Sequence, residues 1–307
     1  MPFRTGIAYD YGACSAAQIL KIKKFPEKRD PALIAAAISL FAFAPLSNAG
    51  RYRMMGFLFE KAHMKSMHKT VALVTGANKG IGLEIARQLG QHQVSVIIGA
   101  RDRARGEAAA DDLRAQGLDA FFIEIDVTDR ASVLRAAAEI GATHGQLDIL
   151  VNNAGISHAS DGRADSADIA AVKTIFDTNF FGVLAVTQAM LALLRGAPAG
   201  RIVNMSSSLG SMRVNADPSS PYYGVRPIGY NASKAALNML TVALAEDLRD
   251  TRIVVNAACP GYARTDLNGN NGYLTPQQAA QVPVRLALLA DGQTTGKFID
   301  AHGDVPW

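Results

Sequence analysis

From residue 68 onward, short runs that are predominantly apolar, without strict alternation, alternate with longer stretches whose apolar residues recur at helical spacing. The apolar runs lie at 70–75, 94–99, 120–125, 147–151, 201–205 and 253–258. Helical spacing fills 83–89, 104–115, 132–140, 169–194 and 230–248 between them. A strand with one face in water alternates apolar with polar residues, whereas a strand that is apolar at every position is buried on both faces. Six such strands separated by helices specify the α/β class: a single doubly wound parallel sheet with helices on both faces. No internal repeat or low-complexity block interrupts the pattern, so one domain is expected from 68 to 307.

Residues 1–67 do not fit this pattern and are expected to be an N-terminal extension outside the fold. Within them, 31–44 is an apolar stretch too short for a comfortable membrane span. Lys21, Lys23, Lys24, Lys28 and Arg29 precede it and Ser47-Asn48-Ala49 follows, an arrangement that mimics an export signal with an over-long basic region. The competing readings are that translation starts at Met64 or Met67, or that the segment is amphipathic and anchors the chain. A cytoplasmic enzyme is expected, or an exported one if the segment 20–49 is a real signal. Residues 1–69 hold eleven Lys or Arg against four acids, so the net charge of +4 comes from this segment and the remainder is slightly acidic. That leaves the domain with no net basic charge and argues against a nucleic-acid partner. Only Cys14 and Cys259 are present, which implies no disulfide framework. The six His residues have no metal-ligand spacing, so no metal is expected.

Two local features point to chemistry. The first is Thr75-Gly76-Ala77-Asn78-Lys79-Gly80-Ile81-Gly82, placed between the first strand and the first helix. Glycines there let the backbone approach a pyrophosphate, and the helix N-terminus offers free N–H groups to it. At the end of the second strand, where an acid would bind the adenosine ribose, stands Gly99-Ala100-Arg101. Arg101 can pair with a 2′-phosphate that an acid would repel, and Lys79 adds a second cation, so NADP(H) is expected over NAD(H). The second feature is Tyr230 with Lys234, four apart on a helix and therefore on one face. A cation beside a phenol is expected to lower the phenol pKa toward neutrality and make Tyr230 a proton donor and acceptor.

These motifs are joined in order by Asp126-Val127 after the third strand and Asn152-Asn153-Ala154-Gly155 after the fourth. Asn179, Ser207 and Pro260-Gly261 after the sixth complete the set. Over about residues 70 to 265 the chain resembles the short-chain dehydrogenase/reductase family, whose fold is Rossmann-type. The resemblance implies that Asp126 and Val127 contact the adenine, that Asn153, Ala154 and Gly155 line the cofactor cleft, and that Pro260, Gly261 and Thr265 hold the nicotinamide end. Gly76, Asn78, Lys79, Gly80, Ile81, Gly82 and Arg101 complete the expected cofactor contacts.

Carbonyl reduction needs a hydride, a proton for the developing alkoxide and a group that holds the oxygen. By the resemblance, Tyr230 donates the proton and Ser207 binds the carbonyl oxygen. Lys234 tunes the phenol and binds the nicotinamide ribose, and Asn179 helps hold a water that leads from Lys234 to solvent. Ser206, Ser207 and Ser208 are consecutive, and Ser207 is chosen because it lies three before Gly210. Lys79, Ala100-Arg101-Asp102, Cys259-Pro260-Gly261 and the C-terminal segment make the chain similar to the carbonyl reductase branch, with a shorter insertion before Tyr230 than the animal enzymes carry. The expected substrate is a small-molecule aldehyde, ketone or quinone. The alternatives are a dedicated 3-oxoacyl thioester, steroid or sugar dehydrogenase, or a non-catalytic NADP(H) sensor. The segment 266–280 is glycine-rich at its start and expected to act as a lid. A monomer and a homo-oligomer paired through the helices at 169–194 and 230–248 both remain open.

Overall fold

The computed structural model describes residues 69–290 and 294–307. The expectations for residues 1–67, including the apolar stretch and Cys14, fall outside the described residues. Each apolar run forms a strand: β1 (Val71–Thr75), β2 (Ser95–Ala100), β3 (Ala120–Glu124), β4 (Ile149–Asn152), β5 (Gly200–Met205) and β6 (Ile253–Ala258). A seventh, β7 (Lys297–Ile299), was not expected, because three residues beginning with a lysine carry no apolar-run signal. The sheet order is β3-β2-β1-β4-β5-β6-β7 and every neighbouring pair is parallel. The chain moves outward from β1 to β3 on one side, then crosses to β4 on the other. The loops after β1 and β4 therefore leave the sheet in opposite directions and open a crevice at the carboxyl ends of these strands, where this architecture binds ligands.

The helices are α1 (Gly80–Gln91), α2 (Arg103–Ala115), α3 (Arg130–His144), α4 (Ile169–Phe176), α5 (Val183–Gly196), α6 (Met212–Ala216), α7 (Ile228–Asp247), α8 (Pro276–Ala279) and α9 (Gln281–Ala287). Alternate residues of β1 divide the core. Ala72 and Val74 face Ile85, Leu89, Leu113 and Leu286, on the side covered by α1, α2 and α9. Val71 and Leu73 face Val133, Ile140, Met190 and Leu240, on the side covered by α3, α5 and α7. Both faces of the sheet are thus apolar and covered, as the pattern required.

The helix expected as one piece over 169–194 is interrupted by a turn of π-helix at Asp177–Gly182, which lies between α4 and α5. Such a turn holds one extra residue and swings the side chains within it relative to a straight helix. Asn179 sits in that turn and is fully buried. The combined segment Ile169–Gly196 is, by length and composition, the one helix among the described residues apolar enough to cross a membrane. Val183, Val186, Met190 and Leu194 of this segment are buried against the sheet, while Ile169 and Phe181 are exposed.

Candidate active site

The turn after β1 is shaped by close approach. Gly76 and Gly80 have φ of 64° and 59°, in the left-handed region that favours glycine. A Cβ on Gly76 would lie 2.9 Å from the Ala154 Cα, and one on Gly82 would lie 2.4 Å from Asn153 Nδ2. The missing side chains let the loop after β4 press onto the turn. Asn153 Nδ2 donates to the carbonyls of Thr75 (2.9 Å) and Gly76 (3.2 Å). Thr75 Oγ1 in turn accepts from the N–H groups of Asn153 (3.0 Å) and Ala154 (3.1 Å). Asn78, Gly80 and Ile81 are partly buried beside them. The expected residues Gly76 to Gly82 and Asn153 to Gly155 therefore pack together as one wall of the crevice. Asn152 points away: its Nδ2 donates to Thr187 Oγ1 (3.0 Å) and Asn204 Oδ1 (2.9 Å) inside the core.

At the end of β2, Arg101 is exposed. The adjacent Asp102 is not available to a ribose, because its carboxylate accepts the Arg105 N–H at 2.9 Å and caps α2. A cation and no free acid at this place fits a 2′-phosphate. Lys79 departs from expectation: its ammonium forms an ion pair with Asp266 on the segment after β6. Past β3, Asp126 Oδ1 accepts from the Thr128 N–H (2.9 Å) and Oγ1 (2.7 Å), and Val127 packs against Gly182. Gly261, with φ of 77°, turns the chain after Pro260 so that Leu274 can close on it. A Cβ on Gly80 would reach the Thr265 methyl at 3.7 Å, so Thr265 covers the mouth of the turn. Leu267 accepts a hydrogen bond from Ser157 Oγ at 3.1 Å, tying the 266–268 turn to the other side of the crevice.

The chemical end is built on α7 and on the loop after β5. Ser206 Oγ donates to the buried Asn238 Oδ1 at 2.6 Å, and Ser208 Oγ lies 3.2 Å from Cys259 Sγ. Ser207 alone of the three acts on the Tyr230 phenol, favouring its charged form. Gly210 makes this possible, since a Cβ there would sit 2.7 Å from the Lys234 backbone and push the serine loop off the helix. Lys234 is buried; its Nζ donates to the Met205 carbonyl at 2.7 Å and lies 5.6 Å from the centre of the Tyr230 ring. Asn179 clamps the backbone of Ile156, accepting its N–H at 2.8 Å and donating to its carbonyl at 2.9 Å. It also donates to Ser233 Oγ at 3.1 Å. Asn179 and Lys234 thus meet beside Gly155, where a Cβ would be 3.4 Å from Asn179 Oδ1 and 3.5 Å from Lys234 Nζ, and Lys234 in turn lies beside the Tyr230 ring.

The electrostatics correct one expectation. Tyr230 as a residue is only partly buried, but burial of its hydroxyl end pushes the phenol up to about 12, with Cys259 adding to the rise and Ser207 opposing it. Burial also pulls Lys234 down to about 8. Desolvation penalises each charged form, and here it outweighs the attraction that was expected to lower the phenol.

Three neighbours of the site were not among the residues expected to form it. Asp161, in the loop after β4, accepts from the N–H groups of Gly229 and Tyr230, each at 2.8 Å. Cys259 lies close enough to Tyr230 and Lys234 to act on both. Burial pushes Tyr222 up to about 12, with Tyr273 of the facing loop adding to the rise. Each depends on loops meeting across a long stretch of chain, which no local pattern records.

A family model described as short chain dehydrogenase matches residues 70–273. The chain is 34% identical to (-)-isopiperitenone reductase of Mentha piperita over 74% of its own length and 95% of that protein's. It is also 34% identical to carbonyl reductase [NADPH] 1 of Bos taurus, over 79% of this chain and all of that one. Among solved structures, NADPH-bound carbonyl reductase from chicken fatty liver superposes with a TM-score of 0.69 at 28% identity, covering 78% of this chain and 100% of that one.

Proposed function

Because the chain belongs to the short-chain dehydrogenase family, we propose that it is an NADP(H)-dependent oxidoreductase that reduces the carbonyl of a small aldehyde, ketone or quinone to an alcohol. The observation that supports this most directly is the Lys234 ammonium 5.6 Å from the Tyr230 ring on the same helix, with Ser207 acting on the phenol from the loop after β5. When bound, NADPH supplies a hydride to the carbonyl carbon. Arg101 would hold its 2′-phosphate, the turn from Gly76 to Gly82 its pyrophosphate, Asp126 and Val127 its adenine, and Asn153 to Gly155 with Pro260, Gly261 and Thr265 the remainder.

Ser207 and Tyr230 both present hydroxyls to the carbonyl oxygen and localise the charge that develops there. Tyr230 transfers its Oη proton to that oxygen. A phenol near 12 is fully protonated at neutral pH, as a donor must be, and an alkoxide is a strong enough base to take its proton. The phenolate left behind sits beside Lys234, which at about 8 is still mostly charged at pH 7 and stabilises it. Asn179 keeps Ile156 and Ser233 in place and so holds the loop and helix that face one another across this proton path. Met212, Tyr223, Leu267 and Tyr273 expose apolar side chains on the flanking loops, which suits a carbonyl on an apolar body.

The test is NADPH consumption, followed by its absorbance, against a panel of aldehydes, diketones, quinones and acyl thioesters, with NADH in parallel. Turnover of several unrelated carbonyls with NADPH is expected. Activity confined to acyl thioesters, steroids or sugars would replace the broad assignment with a dedicated one, and tight NADPH binding without turnover would leave a sensor.

A further inference from the structure

The helix that carries Tyr230 and Lys234 begins without a cap of its own. Pro227 occupies the N-cap position, makes no side-chain cap bond, and is followed by no acid in the first turn of α7. A helix start presents N–H groups with no intrahelical partner, and leaving them unpaired loosens the first turn. The three N–H groups concerned, those of Ile228, Gly229 and Tyr230, are all met by two residues far away in sequence. Gly162 accepts from Ile228 through its carbonyl at 2.8 Å. Asp161 accepts from Gly229 through Oδ1 and from Tyr230 through Oδ2, each at 2.8 Å. By contrast α2, α3 and α4 are capped by the aspartate immediately before them, Asp102, Asp129 and Asp168.

We infer that Asp161 is a positioning residue for the proton donor: its carboxylate fixes the first turn of α7 and, through it, the Tyr230 hydroxyl against Ser207. The inference rests on the reading of Tyr230 as the proton donor. Both carboxylate oxygens are used, one on each of two successive N–H groups, so the aspartate sets position and direction together. Tyr230 is itself one of the two residues held, so a shift of this cap moves the phenol with no intervening lever. Gly229 is what admits the carboxylate, because a Cβ there would lie 3.0 Å from Asp161 Oδ1 and 3.0 Å from Ile175 Cδ1. Asp161 is in turn held by its own loop: its N–H donates to the His158 carbonyl at 3.0 Å, and Ser160 N–H donates to His158 Nδ1 at 3.1 Å. That loop follows directly from Asn153, Ala154 and Gly155. The cap therefore joins the cofactor wall to the proton donor, and the hydride and proton paths share one rigid connection. A carboxylate at a helix N-terminus also interacts favourably with the positive end of the helix, which strengthens both bonds.

The experiment compares wild type, Asp161→Ala and Asp161→Asn on three readouts: kcat for a carbonyl substrate, NADPH affinity, and amide hydrogen exchange along α7. Misplacing a reacting group by about 1 Å costs on the order of 100-fold in rate, so Asp161→Ala is expected to lower kcat about 10- to 100-fold with NADPH affinity within about twofold. Exchange at Gly229 and Tyr230 should accelerate at least about tenfold while amides later in α7 keep their protection. Asp161→Asn keeps one acceptor but turns an NH2 toward the second N–H, so it should fall between the two, and it serves alone if the alanine variant does not fold. Faster exchange with an unchanged kcat would overturn the inference, as would unchanged exchange at residues 229 and 230, or parallel loss of kcat and NADPH affinity. Should the wild type turn over no carbonyl, the reading of Tyr230 fails while the exchange measurement still decides whether Asp161 holds the helix start.

Discussion

Replacing Arg101 by Asp tests the cofactor end with little risk to the fold. Arg101 is exposed just beyond β2, and the cap of α2 is made by Asp102, so the substitution leaves the cap in place. With NADPH the variant loses a charge-assisted bond to the 2′-phosphate, worth about 2 kcal/mol. It also sets a carboxylate near a group of about two negative charges, which at about 5 Å in a well-solvated site adds roughly 1–2 kcal/mol of repulsion. At 1.4 kcal/mol per decade, kcat/KM for NADPH should fall by about 10²- to 10³-fold. With NADH the new carboxylate can accept from the ribose hydroxyls for about 1 kcal/mol, a gain of about fivefold. The assay is kcat/KM for both cofactors at two salt concentrations; the NADPH preference of the wild type should shrink at the higher salt, as an exposed ion pair does. Arg103→Asp is the control. Arg103 lies two residues on and pairs with Glu124 at 3.0 Å, so its loss should leave the cofactor ratio within about threefold. If Arg101→Asp kept the wild-type ratio within that same margin, the 2′-phosphate would be read elsewhere and the argument from the end of β2 would be wrong.

Tyr230→Phe should lower kcat by about 10²- to 10⁴-fold while NADPH affinity stays within about twofold by fluorescence titration, because the hydroxyl is removed without emptying the crevice. Gly82→Ala should raise the NADPH Kd at least about tenfold, since its Cβ would meet Asn153 Nδ2 at 2.4 Å and break the bonds that shape the turn; unchanged binding would refute that cradle. Burial lowers Lys234 from 10.5 to about 8 in the fold, so between those pH values the unfolded chain holds a proton that the folded one has released. Stability contributed by this site therefore rises with pH across that window, by at most about 1.4 kcal/mol per pH unit, and is lost as pH falls through 8. Thermal melts of the wild type minus Lys234→Met should show that rise, and a flat difference would argue against a buried ammonium.

What could be read in advance followed the range of the forces involved. Strand positions were legible because burial on both faces favours apolar residues at nearly every place, as in Val71 to Val74. The glycine turn was legible because a backbone at positive φ, or one pressed against Ala154, tolerates no Cβ. β7 was missed because strand pairing with β6 supplies its stability and its three residues contribute almost nothing to a local pattern. The π-turn was missed for a similar reason: Asn179 is drawn inward by Ile156 and Ser233, partners 23 and 54 residues away, and nothing in Asp177-Thr178-Asn179 records them. Lys79 was read as free because its partner Asp266 stands 187 residues later.

The one expectation reversed in sign concerned Tyr230, and the reversal changes what Lys234 is for. Spacing on a helix places an ammonium near a phenol but says nothing of how dry the place is. At 5.6 Å from the ring, with Nζ committed to the Met205 carbonyl, Lys234 does not offset the cost of burying a phenolate, and the phenol stays protonated. Its attraction instead gains force as the phenolate appears, once proton transfer to the substrate oxygen has begun. A cation that stabilised the phenolate fully in the resting enzyme would have discarded the proton before a substrate arrived. One that stabilises it only as the proton leaves lowers the barrier itself, which is the distinction between binding a ground state and binding a transition state.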